Sequence, residues 1–410
     1  MAKQHIIISG ALSFAVGLTS MSPAFAGGLD RGGYNIDQLF DASPFTFSSG
    51  VTYVMPQRKV KNARDTDPAD GTVGGTTYAD DSENYAIPYV GVKGGMGAID
   101  CLVDYSQPFG AHLSPGAGWA GRQSNIETKV RTDNYGLTCS YKFDMGPGQF
   151  RMIGGGFYQE IEGSKTRLVV PIPGAGVGRL DMSDEALGWR AGVAYEIPEY
   201  ALRASLVYNS RVKYDNLSGT LDLTQIPLNF NGSPWAGRRF GVVGSAQAPD
   251  SLELKVQSGI APDWLAFGSV KWTNWSLIQS IGFCPVASSG LPCQPGGVTS
   301  LDLLYRDGWT VSGGIGHKFN DQWSGAVSLT WDRGTSTGVG TQTDSWTLGT
   351  GVSYAVNENV EIRLAGAIGL LTSGSSGSVT RGGVIYGDDA SYDFGNDIVT
   401  AVSTSLKVKF

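Results

Sequence analysis

The sequence predicts an all-β protein: a transmembrane antiparallel barrel of fourteen strands with a short N-terminal plug in its lumen. Three observations predict it. Strand-length stretches alternate apolar and polar residues, connections alternate long and short along the chain, and the composition suits neither a soluble globule nor a helical membrane protein. The alternation is clearest in the last thirteen residues. Ile398, Thr400, Val402, Thr404, Leu406, Val408 and Phe410 share one face, and Val399, Ala401, Ser403, Ser405, Lys407 and Lys409 the other. Period two is the signature of a strand with one apolar and one polar side.

The chain has 410 residues with 59 Gly, 16% charged and 10% aromatic residues. Outside the N-terminus no apolar run reaches the ~18 residues that a membrane-spanning helix needs. Low charge and abundant aromatics fit a barrel, in which every second strand residue faces lipid. A large secreted β-sandwich array or a propeller is the competing reading. The net charge is −7 with no basic cluster, which argues against a nucleic-acid partner. Residues 1–26 read as a secretory signal, with Lys3, an apolar core from Ile6 to Leu18, and Ala24-Phe25-Ala26 as the cleavage motif. Its removal takes away Lys3, so −7 becomes −8 for the mature chain.

Residues 27–44 form a polar, Gly-rich leader, either disordered or folded back into the barrel mouth as a plug. The barrel follows over 45–410. Phe45, Phe47, Val51, Tyr53 and Met55 share a face; so do Leu202, Leu206, Tyr208, Val212 and Tyr214, opposite Arg203, Ser205, Asn209, Arg211 and Lys213. Leu252, Leu254, Val256 and Ile260 oppose Glu253, Lys255 and Gln257, and Val360, Ile362, Leu364 and Ile368 oppose Glu361 and Arg363. Short connections are expected at 94–95, 144–148, 197–199, 262–263, 320–321 and 357–359. Long ones are expected at 61–84, 108–125, 166–184, 215–249, 282–303, 334–344 and 372–397. Tight turns on one rim and long loops on the other are how an outer-membrane barrel is built, and an even strand count puts both termini on the periplasmic, short-turn side. Aromatics such as Trp309, Phe319, Trp323, Trp331, Trp346 and Tyr354 fall near strand ends, where interfacial girdles form.

Two loops carry apolar clusters: Leu168, Val170 and Ile172 in one, and Leu223, Leu228, Phe230 and Trp235 in the other. Exposed apolar clusters mark either binding surfaces or self-packed lids. Arg190, Arg211, Lys213, Arg238 and Arg239 lie near the outer mouth, as candidate partners for a carboxylate or as a solvated ladder. Arg203, Arg363, Lys407 and Lys409 should point inward near the periplasmic rim, where Asp30, Asp37 and Asp41 of the leader would suit them as a plug seat. Cys284 and Cys293, with two prolines between them in one long loop, are expected to form an extracellular disulfide. Cys101 and Cys139 share lipid-facing phases of neighbouring strands, either bonded or as buried thiols. None of the four cysteines has metal-ligand spacing, and no cofactor is expected. The three histidines, His5, His112 and His317, do not combine with a serine and an acid into a catalytic set, so an enzyme is not expected.

Stretches of the C-terminal half carry a family resemblance. Pro249-Asp250-Ser251-Leu252-Glu253-Leu254-Lys255 leads to Asp263-Trp264 and to Trp272-Thr273-Asn274-Trp275-Ser276. Tyr305-Arg306-Asp307-Gly308-Trp309 is followed by Asn320-Asp321-Gln322-Trp323, and Gln107-Pro108-Phe109-Gly110 lies earlier in the chain. In these elements the chain resembles the FadL family of outer-membrane long-chain fatty-acid and hydrocarbon transporters. It departs from the family in its leader, which is short and lacks an Asn-Pro-Ala element. The resemblance implies passive uptake of hydrophobic compounds, foremost long-chain fatty acids, through an outer apolar groove, the lumen and a sideways exit at an inward strand kink. It also implies a monomer in contact with outer-membrane lipid and lipopolysaccharide, inserted by the barrel assembly machinery, for which the terminal Phe410 is the signal. A general diffusion porin for small polar solutes is the second reading.

Overall fold

A computed structural model describes residues 27–67, 71, 73–172, 174–286 and 299–410. The signal segment, Pro173 and Cys293 lie outside the described residues. Fourteen wall strands close on themselves. The first six are Phe45–Pro56, Tyr85–Met96, Ile99–Ser106 resuming as Gly110–Leu113, Glu127–Met145, Gly148–Leu168 and Val177–Ile197. Four interrupted strands follow: Leu202–Asn209 with Val212–Asp222, Arg239–Ala248 with Ser251–Ala261, Trp264–Thr273 with Ser280–Pro285, and Thr299–Asp302 with Gly308–Lys318. The wall ends with Trp323–Asp332, Ser345–Ala355, Val360–Leu371 and Asp397–Lys409. The first strand pairs antiparallel with both the second and the last, so the sheet has no open edge.

The outward phase is apolar, as lipid requires: Val51, Val103, Leu137, Leu329, Leu348, Ile368 and Val402 all stand exposed. Ring pairs mark the short-turn rim, with Phe45 against Phe410 at 5.4 Å and Trp323 against Tyr354 at 4.7 Å. His317 belongs to the same girdle, stacked 4.3 Å from Trp264. Cys101 and Cys139 face each other across the third and fourth strands and are disulfide-bonded. Cys284 is also disulfide-bonded.

Boundaries differ from the sequence expectation at several places, among them the 282–303 loop, into which Ser280–Pro285 and Thr299–Asp302 extend as strand. The first tight turn lies at 97–98 rather than 94–95, with Gly97 at φ 60° supplying the conformation a two-residue hairpin needs. The loops expected at 166–184 and 215–249 shrink to 169–176 and 223–238, because the fifth, sixth and seventh strands run on past the membrane. Above the lipid both faces of a strand are wet. Residues such as Glu162, Arg179 and Asp181 therefore show no apolar alternation, though they remain in register as strand.

Loops 57–84 and 372–396 meet above the barrel in a four-stranded sheet of Lys59–Asp65, Ala79–Asp80, Gly374–Ser376 and Ala390–Phe394. Arg58 ties its base, donating to Thr372 O at 3.1 Å, Gly395 O at 3.0 Å and Asp397 Oδ2 at 3.3 Å. Asp81 is buried beside it and accepts a hydrogen bond from Thr341 Oγ1 at 3.1 Å. Burial pushes the Asp81 carboxyl from 3.8 up to about 6, against the pull of Thr341 and Arg58. The folded sheet therefore holds this proton between about pH 4 and pH 6 when the opened loop does not. Its contribution is full below that window and is lost as pH rises through about 6. Hydrogen exchange of the 59–81 amides should accordingly speed up from pH 5 to 7 more than intrinsic chemistry explains, and Asp81→Asn should abolish that excess. An unchanged excess in Asp81→Asn refutes the assignment.

Candidate substrate pathway

The lumen is divided by polarity. From the fifth to the ninth strand, inward residues and the 223–238 loop form one apolar column. Its outer end holds Leu223, Phe230, Trp235 and Phe240, with the Trp235 and Phe240 rings 4.7 Å apart. Leu221, Leu217, Tyr214, Val212, Phe157 and Trp275 continue it inward. The leader contributes Tyr34, whose ring sits 4.8 Å from Phe157 and 5.8 Å from Phe109.

At the inner end stands Arg190, only 1% exposed. Its guanidinium lies over the rings of Tyr34 at 5.2 Å and Phe157 at 5.1 Å. None of its three nitrogens has a hydrogen-bond acceptor among the described residues. Asp104 faces it electrostatically, and both carboxylate oxygens of Asp104 also lack hydrogen-bond donors there. Tyr34 and Tyr214 are fixed through Gln159, which donates to Tyr34 Oη at 3.0 Å and accepts from Tyr214 Oη at 2.6 Å. Burying a guanidinium without acceptors is costly, which sets Arg190 apart from the paired cations of the lumen.

The other residues singled out from sequence scatter. Leu223 lies in the column, and Val170, Phe230 and Trp235 pack on its edge. Leu168 is buried at the top of the fifth strand, Ile172 is half-buried, and Leu228 is exposed outside the column. Arg211 and Lys213 correct the expectation most clearly. The seventh strand breaks at Ser210–Arg211, so Val212 and Tyr214 turn inward with 0% exposure while Lys213 faces out. Arg211 pairs with Asp250 at 3.4 Å.

The leader is a compact wedge with a single turn, Asp37–Phe40. Ile36, Leu39 and Phe40 pack on Leu102, Ile153, Ala194 and Val207. Asp37 pairs with Lys255 at 3.2 Å, Asp30 with Lys271, and Asp41 with Lys407. The Gly27 nitrogen donates to Asp332. Arg203 lies 4.5 Å over the Phe40 ring. Arg363 and Lys409, expected at the leader, form ion pairs with Glu361 of the wall at 2.6 and 3.6 Å. Lys255 and Lys271 escaped the sequence reading as seats. For Lys255 the signal was present, since it stands with Glu253 and Gln257 opposite Leu252, Leu254 and Val256; Lys271 shares its face with Leu265 and Phe267, so its strand shows no polar phase. On the far side of the leader is a cavity of about 190 Å³ of mixed lining, with Gln38, Ser48, Thr52 and Ser403 on one hand and Ile87 and Leu364 on the other.

The wall opens beside the third strand. Its pairing with the second strand stops at Tyr89–Ser106, and Tyr85–Pro88 pair with the first strand alone. Gln107-Pro108-Phe109 bends inward, where Pro108 offers no N–H for a ladder and Phe109 is buried against Trp275 at 5.6 Å. The leader takes the missing strand's place: the Arg31 N–H donates to Pro108 O at 2.9 Å, and Gly110 N–H to Leu29 O at 2.7 Å. The Arg31 guanidinium covers Tyr85 at 4.2 Å.

A closed barrel, a lumenal leader, an apolar column and a kinked third strand match one known architecture. The family described as outer membrane protein transport protein (OMPP1/FadL/TodX) matches residues 38–367. The chain belongs to this family. A curated relative is the long-chain fatty acid transport protein of Salmonella typhi, 22% identical over 86% of this chain and 81% of its own. In three dimensions the chain is similar to a FadL homologue of Pseudomonas aeruginosa, with TM-score 0.71, 15% identity and coverage of 97% of this chain and 96% of that one. It is also similar to the CymD monoaromatic hydrocarbon channel (TM-score 0.60, 14% identity, 98% and 95% covered). The Pseudomonas putida toluene transporter TodX is comparable (TM-score 0.58, 14% identity, 95% and 97% covered). As a FadL/TodX-family protein the chain is an outer-membrane transporter of hydrophobic compounds, and family members are transport channels rather than enzymes.

Proposed function

We propose that the substrate is a long-chain fatty acid. It is captured at Leu223, Phe230 and Trp235, held with its carboxylate on Arg190, and released sideways past Phe109 and Pro108 when Leu29–Arg31 withdraw. The observation that carries this reading is Arg190, a buried cation without acceptors among the described residues at the end of an apolar column. A carboxylate supplies two acceptor oxygens in the fork geometry that guanidinium favours. The acyl chain gains about 0.8 kcal/mol per methylene on leaving water for the column and keeps that gain in the bilayer, so passage needs no energy source. A monoaromatic hydrocarbon would fill the same column and leave Arg190 unsatisfied.

The test is uptake of labelled oleate and labelled toluene by a transporter-null host expressing this chain. Oleate should enter saturably and faster than toluene; equal rates, or toluene alone, would reject the fatty-acid reading. The Ser, Thr and Gln side chains on one side of the cavity beside the leader favour a second reading, leakage of small polar solutes. A sugar-sized solute entering as fast as oleate would establish that reading instead.

A further inference from the structure

The wall has a second interruption, on the other side of the apolar column. The sixth strand pairs with the seventh through Arg190–Ile197 and again through Arg179–Ser183, but no ladder pair joins residues 184–189 to it. Below, the interruption is closed by Ser210 N–H donating to Trp189 O at 2.8 Å, and above by the ladder pair Ser183–Ser218. Between these points the seventh strand carries two residues more than the sixth: Asn209 lies opposite Arg190, and Ser218 opposite Ser183. The surplus cannot lie flat, and the strand bows. It bows inward, since Val212, Tyr214 and Leu217 are all buried in the column.

This makes a window. Asp184 spans it, its Oδ2 accepting from the Asn216 N–H at 3.0 Å, and at its lower edge Ser210 Oγ accepts from the Trp189 N–H at 2.9 Å. The sixth strand offers little to fill it from within, because its inward residues at this level are Ala186 and Gly188. Behind them stand the Phe157 ring, in contact with Gly188, and Tyr214, held by Gln159; Arg190 lies over the Phe157 ring.

The outer lips differ in chemistry. On the sixth strand Leu187 and Trp189 are 76% and 54% exposed to the surround. They lie level with the Tyr135–Tyr158 pair, since Tyr158 is in register with Leu187, which sets the window at the outer aromatic girdle. On the seventh strand the exposed residues are Lys213, Asp215 and Asn216. Two exposed acids, Glu185 and Asp215, stand on the outer side of Leu187 and Lys213. Below them the apolar pair Leu187 and Trp189 faces Lys213 across the opening, which matches an amphiphile lying in the outer leaflet, tail on Leu187 and carboxylate by Lys213.

We propose that the window between the sixth and seventh strands is a second lateral opening, through which carboxylate amphiphiles dissolved in the outer leaflet pass directly into the column. It rests on Arg190 as the head-group site, but makes a separate demand: membrane-borne substrate bypasses the loop groove. Phe157 and Tyr214 are its inner gate, and no bond is made or broken.

The experiment uses the full chain in nanodiscs and oleate bearing a tail diazirine, supplied either dissolved in the bilayer or in water on albumin. Irradiation after bilayer delivery should label Leu187, Trp189 and Tyr214. Leu187→Asp combined with Trp189→Asp makes the outer apolar lip acidic without entering the column, and should slow loading from the bilayer roughly tenfold while leaving loading from albumin within about twofold. Asp184→Ala removes the span and should speed bilayer loading, which keeps the idea testable if the double variant fails to fold. Equal slowing by both routes, or label confined to the third-strand gap, overturns the window. Loss of binding by both routes in Arg190→Leu, with route dependence intact in the double variant, upholds both readings. Route dependence with an unaffected Arg190→Leu keeps the window and rejects the head-group site.

Discussion

Arg190→Leu should reduce oleate uptake by roughly ten- to a hundredfold, the equivalent of one charge-assisted hydrogen-bonded contact, and leave toluene uptake within about twofold. The discrimination comes from what each substrate brings to the inner end of the column. Oleate offers acceptors to a guanidinium that has none among the described residues, and toluene offers a ring to a site already lined by Tyr34 and Phe157. Arg190→Leu also strips Asp104 of its facing cation, so a general loss of folding has to be separated from a loss of binding. Two companions do this. Arg190→Lys keeps the charge without the fork and should fall between wild type and leucine. Asp104→Asn removes the competing carboxylate and should tighten oleate binding. Unfolding would lower uptake in all three; the binding reading requires Asp104→Asn to move the other way. Uptake of oleate by Arg190→Leu at the wild-type rate would remove the head-group site from the proposal.

The second large effect is expected from the leader. Lys255→Ala combined with Lys271→Ala should unseat it, giving large, noisy single-channel conductance and rapid proteolysis within residues 27–44. Each lysine is the ion partner of a nearly buried leader carboxylate: Asp37 lies 3.2 Å from Lys255, and Asp30 contacts Lys271. Breaking a buried pair by removing one partner costs about 3–5 kcal/mol, because the remaining charge stays uncompensated. Two such losses exceed what Ile36, Leu39 and Phe40 gain by packing, at about 1.5–3 kcal/mol for each fully buried large side chain less ordering costs. Lys409→Ala is the control, since Lys409 pairs with Glu361 of the wall. Wild-type conductance in the double variant would mean that the apolar wedge and the Asp41–Lys407 pair suffice to hold the leader.

Much of the architecture was legible in the chain. Alternation along residues 398–410 and the strict exchange of long and short connections follow from one constraint: lipid outside and water inside a closed sheet. That constraint acts on every residue of a wall strand within the bilayer, so it leaves a local, periodic trace. Where it stops acting the trace fades, which is why the upper parts of the fifth, sixth and seventh strands read as loop. The seventh strand shows a subtler failure. Arg203 to Lys213 looks like one unbroken alternation, and Arg211 and Lys213 were placed on the inner face with Arg203. The break at Ser210–Arg211 shifts the phase, sends Tyr214 into the column and sends Lys213 outside. Nothing within that strand announces the shift, because it is imposed by register against two neighbours.

By itself the chain determined a membrane barrel, its strand number, which faces are greasy, and a charged leader fit to be seated. Each follows from interactions with solvent or lipid that a residue meets wherever its strand lies. Only the tertiary structure decided which lysines seat the leader, that Arg190 rather than Arg211 or Lys213 closes the apolar column, that Cys101 is bonded to Cys139, and where the wall is open. Those are contacts between residues tens to hundreds of positions apart, set by strand register and by the inward bends of the third and seventh strands, and one-dimensional periodicity carries no record of them.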